Sequence, residues 1–211
     1  MQAWRKKKAK GRVIVVRYAA DFVLGLEQRA DAERFLEALR ERLARFGLEP
    51  HPTKTRLIEF GRWAIGERRN RGAGKPDAFD YLGFTHICEI NRKSGYFVVQ
   101  RKTSGKRKRT KLSEIKRQLR RRMHAPVRES GAWLRSVVGG YFGDHGAPGN
   151  LRVLAGFGRV VSWLWLRTLC RRSQTSRLSR RRFYKLERRY LPKPRTCHRF
   201  PNVRFAAAHP R

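Results

Sequence analysis

Fifty-two lysines and arginines face only 16 aspartates and glutamates in this 211-residue chain, a formal net charge of +36. Charge on that scale constrains the fold before any pattern is read, because a compact state must hold like charges close together. The chain can collapse only with its cations on outer faces, and a polyanion is the natural partner to neutralise them. Hydrophobic residues make up 40% of the sequence, enough to build a packed core, so wholesale disorder is not expected. Nucleic acid is therefore the first partner to consider and an anionic membrane surface the second.

The charge is uneven. Residues 1–90 hold 19 basic and 12 acidic side chains, whereas residues 91–211 hold 33 basic and 4 acidic ones. The front reads as a nearly ordinary globular segment and the back as the part that meets a polyanion. Cys88, Cys170 and Cys197 are odd in number and far apart, which fits neither a disulfide framework nor a zinc spacing and suits a reducing cytoplasm. The opening MQAWRKKKAKGR is basic, and the apolar run after it stops at Arg17. That is neither a signal peptide nor a membrane span. It reads either as a solvated lead-in or as a nucleic-acid contact.

Periodicity organises the chain as α+β. Val13–Val16 is a β-branched run that reads as a buried strand, and Phe22–Leu24 is a second one, ended by Gly25; Tyr18-Ala19-Ala20-Asp21 joins them as a tight hairpin. Ala32, Phe35, Leu36, Leu39, Leu43 and Phe46 fall at helical spacing, with Asp31 as N-cap and Gly47 as the stop. Leu57–Phe60 reads as a strand, residues 66–77 as a glycine-rich loop, and Tyr81–Phe84 and Tyr96–Val99 as strands around a turn at Asn91–Gly95. From about residue 102 the pattern becomes helical and basic. Leu112, Ile115, Leu119 and Met123 mark one helix; Trp133, Leu134, Val137, Val138 and Tyr141 mark a second. Leu151–Leu169 is a third, and Phe183, Leu186 and Tyr190 mark a fourth. Trp163 and Trp165 read as core residues rather than as platforms for bases.

The stretch VIVVRYAADFVLG carries the most chemistry. A strand, a tight turn and a second strand with acidic residues at the turn is how polymerase palms present carboxylates to Mg²⁺ ions for in-line phosphoryl transfer. This segment resembles the Y-x-D-D motif of reverse transcriptases of the group II intron maturase kind. The resemblance continues in order along nearly the whole chain. GLEPHPTKTRLIEFGR (47–62) resembles the lysine-containing motif after the catalytic hairpin, and FDYLGFTH (79–86) the primer grip. LRSVVGGYFGDHGAPGNLRVL and SRLSRRRFYKLERRYLPKPRTCHRFPNVRF resemble the thumb, or maturase X, region. It implies the C-terminal part of a palm over residues 1–101, a thumb-like helical domain over 102–191 and an extended basic tail over 192–211. It also implies Mg²⁺ as cofactor and structured intron RNA, or an RNA/DNA duplex, as partner. The work would be RNA-directed DNA synthesis, intron splicing and mobility, in a bacterial-type cytoplasm and away from any membrane.

Two departures shape that expectation. Ala20 stands where the family has its metal-ligating aspartate, and Asp21 matches the secondary one; alanine offers no oxygen to a metal. Only twelve residues precede Val13, so the fingers and the first palm aspartate are expected to be missing, or supplied by a separate N-terminal half. The resemblance leaves Asp21 as a remnant catalytic and weak metal-binding position that does not hold Mg²⁺ stably. Lys54 falls where the family lysine assists leaving-group protonation; a surface lysine is the alternative. For nucleic acid, Tyr18 and Gly83 are candidates in the palm part. The cationic run of Lys106, Arg107, Lys108, Arg109, Lys111, Lys116, Arg117, Arg120 and Arg121 is the main candidate, with Arg171, Arg172, Arg177, Arg180, Arg181, Arg182, Arg188 and Arg189 as a second surface. No P-loop, nucleophile elbow or HExxH helix competes. Two readings stay open: a reverse transcriptase fragment that is incompetent alone, and a non-catalytic RNA-binding module of maturase type.

Overall fold

The computed structural model describes residue 4 and residues 8–19, 21–92, 94–172 and 178–200; Ala20, Arg177 and the tail beyond Phe200 lie outside them. The architecture is mixed α and β, with six helices and two small antiparallel sheets among the described residues. The chain divides into two compact units, residues 1–60 and residues 61–211.

In the first unit, β1 (Val13–Tyr18) pairs antiparallel with β2 (Asp21–Leu26). The register runs from Val13 opposite Leu26 to Tyr18 opposite Asp21, as expected of a tight hairpin. Ala19 adopts φ +51°, a left-handed conformation that costs a non-glycine residue ~1–2 kcal/mol. The strand β1 is not buried, contrary to its β-branched composition. Val13 alone is shielded, while Ile14, Val16 and Tyr18 are 66%, 47% and 64% exposed. Alternate residues of a strand point to opposite faces, and a two-stranded sheet offers its helix only one of them.

Helix α1 (Arg29–Ala44) lies against β2 and ends where Gly47, at φ +66°, turns the chain so that Leu48 N–H reaches the Leu43 carbonyl. Asp31 is not its N-cap; Gln28 holds that position. Asp31 is instead fully buried one turn in, where it accepts the backbone N–H of Lys10 (2.8 Å) and Gly11 (3.0 Å) and pairs with Arg34. Those donors, the Gly11 amide foremost, hold its carboxyl below the usual range. Trp4 packs edge-on against Phe35 at 4.9 Å, so part of the basic lead-in is tied to this helix. Leu57–Phe60 forms no strand; Glu59 turns to Arg29 (3.7 Å), and no described strand lies alongside to supply a ladder.

The second unit opens with α2 (Arg62–Asn70), which takes the first part of the segment expected to be a loop. Buried Ala64 anchors it, and Arg68 closes the glycine turn after it by donating to the Ala73 carbonyl (3.0 Å). Strands β3 (Phe79–Tyr81), β4 (Phe84–Ile90) and β5 (Phe97–Thr103) form one antiparallel sheet in that order. The expected strand Tyr81–Phe84 is thus broken at Leu82–Gly83, a two-residue turn, with Tyr81 ending β3 and Phe84 opening β4. Tyr81 pairs with Phe84, and Leu82 and Gly83 both have positive φ (+50° and +86°). Two positive φ values in a two-residue loop match the right-handed twist of the flanking strands, and glycine carries one of them at no steric cost.

Four helices follow: α3 (Gly105–Arg121), α4 (Val127–His145), α5 (Leu151–Cys170) and α6 (Arg180–Tyr190). Their inward faces make the core, in which Ile115, Leu134, Leu154, Phe157, Val161 and Trp165 are wholly buried. By length and composition α5 could also cross a membrane, yet its apolar side is the hub of this core. Buried Asn150 ties the sheet to the helices. It accepts from Thr103 N–H (3.0 Å) and donates to Thr103 Oγ1 (2.7 Å) and the His145 carbonyl (2.9 Å). This is why the unit boundary falls at Phe60–Gly61 and not at the change in composition near residue 102.

Candidate nucleic-acid interface

Helix α3 carries nine basic side chains and one acidic one, Glu114, which pairs with Lys111 at 3.0 Å. Ile115 and Leu119 point inward, and Lys106, Arg107, Arg109, Lys116, Arg117, Arg120 and Arg121 are exposed; Lys108 and Lys111 are half-buried. Like charges one turn apart destabilise a helix by ~0.2–0.5 kcal/mol each, and α3 holds several such pairs, Lys116/Arg120 and Arg117/Arg121 among them. Burial of Ile115 and Leu119, worth ~1.5–3 kcal/mol per side chain, outweighs that repulsion and presents the cations along a helix of ~26 Å.

The cations also stand at the wrong end of the helix dipole. The first turn of α3 contains Lys106, Arg107 and Lys108 and no acidic residue, although a helix N-terminus favours negative charge. Asp80 supplies part of that charge from the sheet by accepting from Ser104 Oγ at 3.0 Å. Helix α6 repeats the arrangement, with Arg180, Arg181 and Arg182 exposed in a first turn that has no acid and with Ser179 accepting from Arg182 N–H at 3.3 Å. A polyanion relieves both defects at once, since phosphates are stabilised at helix N-termini and by arginine. Helix α3 packs on α5 and α6 packs on α4, so the two cationic first turns project from different pairs.

Other expected contacts are occupied within the fold. Arg107 reaches across the β3–β4 turn, its Nη1 2.6 Å from where a Cβ on Gly83 would stand, so the close approach that Gly83 permits is made by this guanidinium. Arg172, expected on the second surface, donates to the carbonyls of Met123 and Ala125 after α3. Arg122 lies over Trp133 at 4.8 Å. Near Arg107, His145 stacks on Tyr141 (4.4 Å), and burial lowers its pKa, helped by that guanidinium.

In the first unit, Tyr18 and Asp21 are exposed and face each other across the hairpin end. Lys54 is exposed in the turn from His51, and no ion pair or hydrogen bond joins it to Asp21 among the described residues. No group of three or more His, Cys, Asp or Glu side chains is placed to hold a metal ion among the described residues. A single exposed carboxylate does not fit a magnesium centre.

Sequence reasoning missed the part of the basic surface on α5, Arg159, Trp163 and Arg167, all exposed. Trp165 is buried as expected, but Trp163 is 52% exposed. Its position was readable. Val161 and Trp165 face the core, and a residue two places from each lies on the opposite side of the helix. No protein-family model matches the chain, and a comparison with curated proteins finds no significant relative.

Proposed function

We propose that this chain is a non-catalytic RNA-binding module of the group II intron maturase type, holding structured RNA by its phosphates through the helices of residues 105–190. The observation that carries the reading is α3. Its nine cations are set against one acid on a face held open by a fully packed core, with the first turn inverted relative to the helix dipole. The ordered resemblance to reverse transcriptase motifs supports RNA as the polyanion. Ala20, which has no metal-ligating oxygen, argues against polymerisation by this hairpin.

Fluorescence anisotropy with a folded RNA tests the reading. Binding should tighten steeply as salt is lowered, and addition of Mg²⁺, deoxynucleotides and a primed template should give no extension. Absence of RNA binding at low salt would refute it. Efficient primer extension would refute the non-catalytic part. The exposed apolar face of the hairpin favours a second reading, in which the chain completes a polymerase assembled from two polypeptides. Extension that appears only on adding a separate reverse transcriptase half would establish it.

A further inference from the structure

Helices α3 and α5 meet in a groove lined by Lys116 and Arg120 on one side and by Trp163, Arg167, Thr168 and Arg171 on the other. Trp163 lines it half in water, with the Arg167 guanidinium over the indole, 4.7 Å from the ring centroid. Arg159, one turn earlier on α5, is also exposed. A guanidinium over an indole one turn away is an ordinary surface pair. It does not explain why a half-exposed indole lines a groove with Lys116, Arg120, Arg167 and Arg171.

We propose that this groove binds an unpaired nucleotide of RNA, its base stacked on Trp163 and its flanking phosphates held by Lys116, Arg120 and Arg171. The proposal rests on the RNA-binding reading above and adds selectivity to it. Sites for single strands combine a stacking platform with a positive track for the backbone, and this groove has both. In an uninterrupted A-form helix the base faces are stacked on one another, so the ring distinguishes loops, bulges and ends from duplex. A lipid surface is the poorer match. Binding in a bilayer interface needs a broad exposed apolar face, whereas α5 turns Leu154, Phe157, Val161, Trp165 and Leu169 into the core and leaves only Leu151, Val160 and Trp163 as large exposed apolar side chains.

The test is anisotropy at physiological salt with the full chain and two RNAs sharing one stem, one with a single-stranded loop and one a blunt duplex. Trp163→Ala should weaken the looped RNA by about 5- to 150-fold and leave the duplex within twofold. Trp163→Phe should retain most of the affinity. Trp163→Leu, which keeps apolar bulk at the position, should behave like Trp163→Ala, so a folding defect in one variant does not decide the matter. Unchanged binding of the looped RNA by either folded variant overturns the proposal, as does equal loss on both RNAs. Vesicles of anionic phospholipid form a third arm. Sensitivity to Trp163→Ala there, with none on RNA, assigns the groove to lipid and overturns it. Failure of the unmodified chain to bind either RNA overturns the RNA-binding reading itself, an outcome distinct from selective failure of this site.

Discussion

The two units differ sharply in how their apolar residues are used. Among the described residues, 61–211 bury sixteen hydrophobic side chains, whereas 1–60 bury two, Val13 and Phe35. The first unit holds a net charge of +6 and the second +30. The more heavily charged unit is therefore the better packed one, because cations confined to outer helical faces leave the inner faces mainly apolar. In the hairpin, by contrast, Ile14, Val16 and Tyr18 face water although their composition is that of a core strand. Exposed apolar strands with open outer edges invite association. Net charge thus says little about where a core forms; the availability of a second layer to cover each apolar face decides it.

The contrast breaks most visibly if the helical core is damaged. Trp165→Ala removes a fully buried ring that packs against Phe183 (5.7 Å) and Tyr190 (6.0 Å) and donates to Ser130 Oγ (3.3 Å). A loss of ~3–5 kcal/mol is expected in denaturant unfolding followed by circular dichroism. A change below 1 kcal/mol would mean that the helices do not share the core described. Asn150→Ala should cost ~1–3 kcal/mol, because the Thr103 N–H is left buried without its acceptor. Hydrogen exchange should then rise in β5 ahead of the helices.

Acid separates the units in a different way. Burial lowers the pKa of His86 and His145, so the folded second unit resists protons that the unfolded chain accepts near the ordinary histidine value. That stability is present above about pH 6.5 and is lost as pH falls from there toward the lowered values. Asp31 in the first unit also has a lowered pKa, so its contribution is present above the usual carboxylate value of about 3.9 and disappears only as pH falls through the lowered one. Thermal melts from pH 7.5 to 5 should weaken the second unit, and His86→Gln with His145→Gln should flatten the profile. A profile unchanged by both substitutions would contradict the burial argument.

How much of this was legible in the sequence follows from the same physics. The hairpin, α1 and the four later helices were readable because β-branched runs and helical periods are local signals. Position in three dimensions was not. Asp31 looks like a cap, since an acid before an apolar run usually is one, but its partners are the amides of Lys10 and Gly11, twenty residues away. Leu82 sits in a turn although Tyr-Leu-Gly-Phe has strand composition, because hairpin geometry overrode propensity at two residues. Arg107 and Arg172 were indistinguishable from the other cations until the fold supplied Gly83 and two carbonyls for them.

The smallest stability effect is expected in the hairpin. Ile14→Thr with Val16→Thr should change stability by less than about 0.5 kcal/mol, since both side chains already face water. A loss of several kcal/mol would place a hidden layer over that face.

The central claim, that RNA is held by phosphate contacts from the helical unit, is tested most directly by the salt dependence of binding. The logarithm of affinity should fall linearly with the logarithm of salt concentration, losing about 10³–10⁵ between 50 and 200 mM if ~6–10 phosphates are contacted. Replacing Lys106, Arg107, Lys108 and Arg109 with alanine should flatten that slope by roughly 0.7–0.9 per contact removed and weaken all RNAs by similar factors. Asp21→Asn in the hairpin should leave slope and affinity unchanged. An unaltered slope in the four-alanine variant, or a slope that moves with Asp21, would contradict the account.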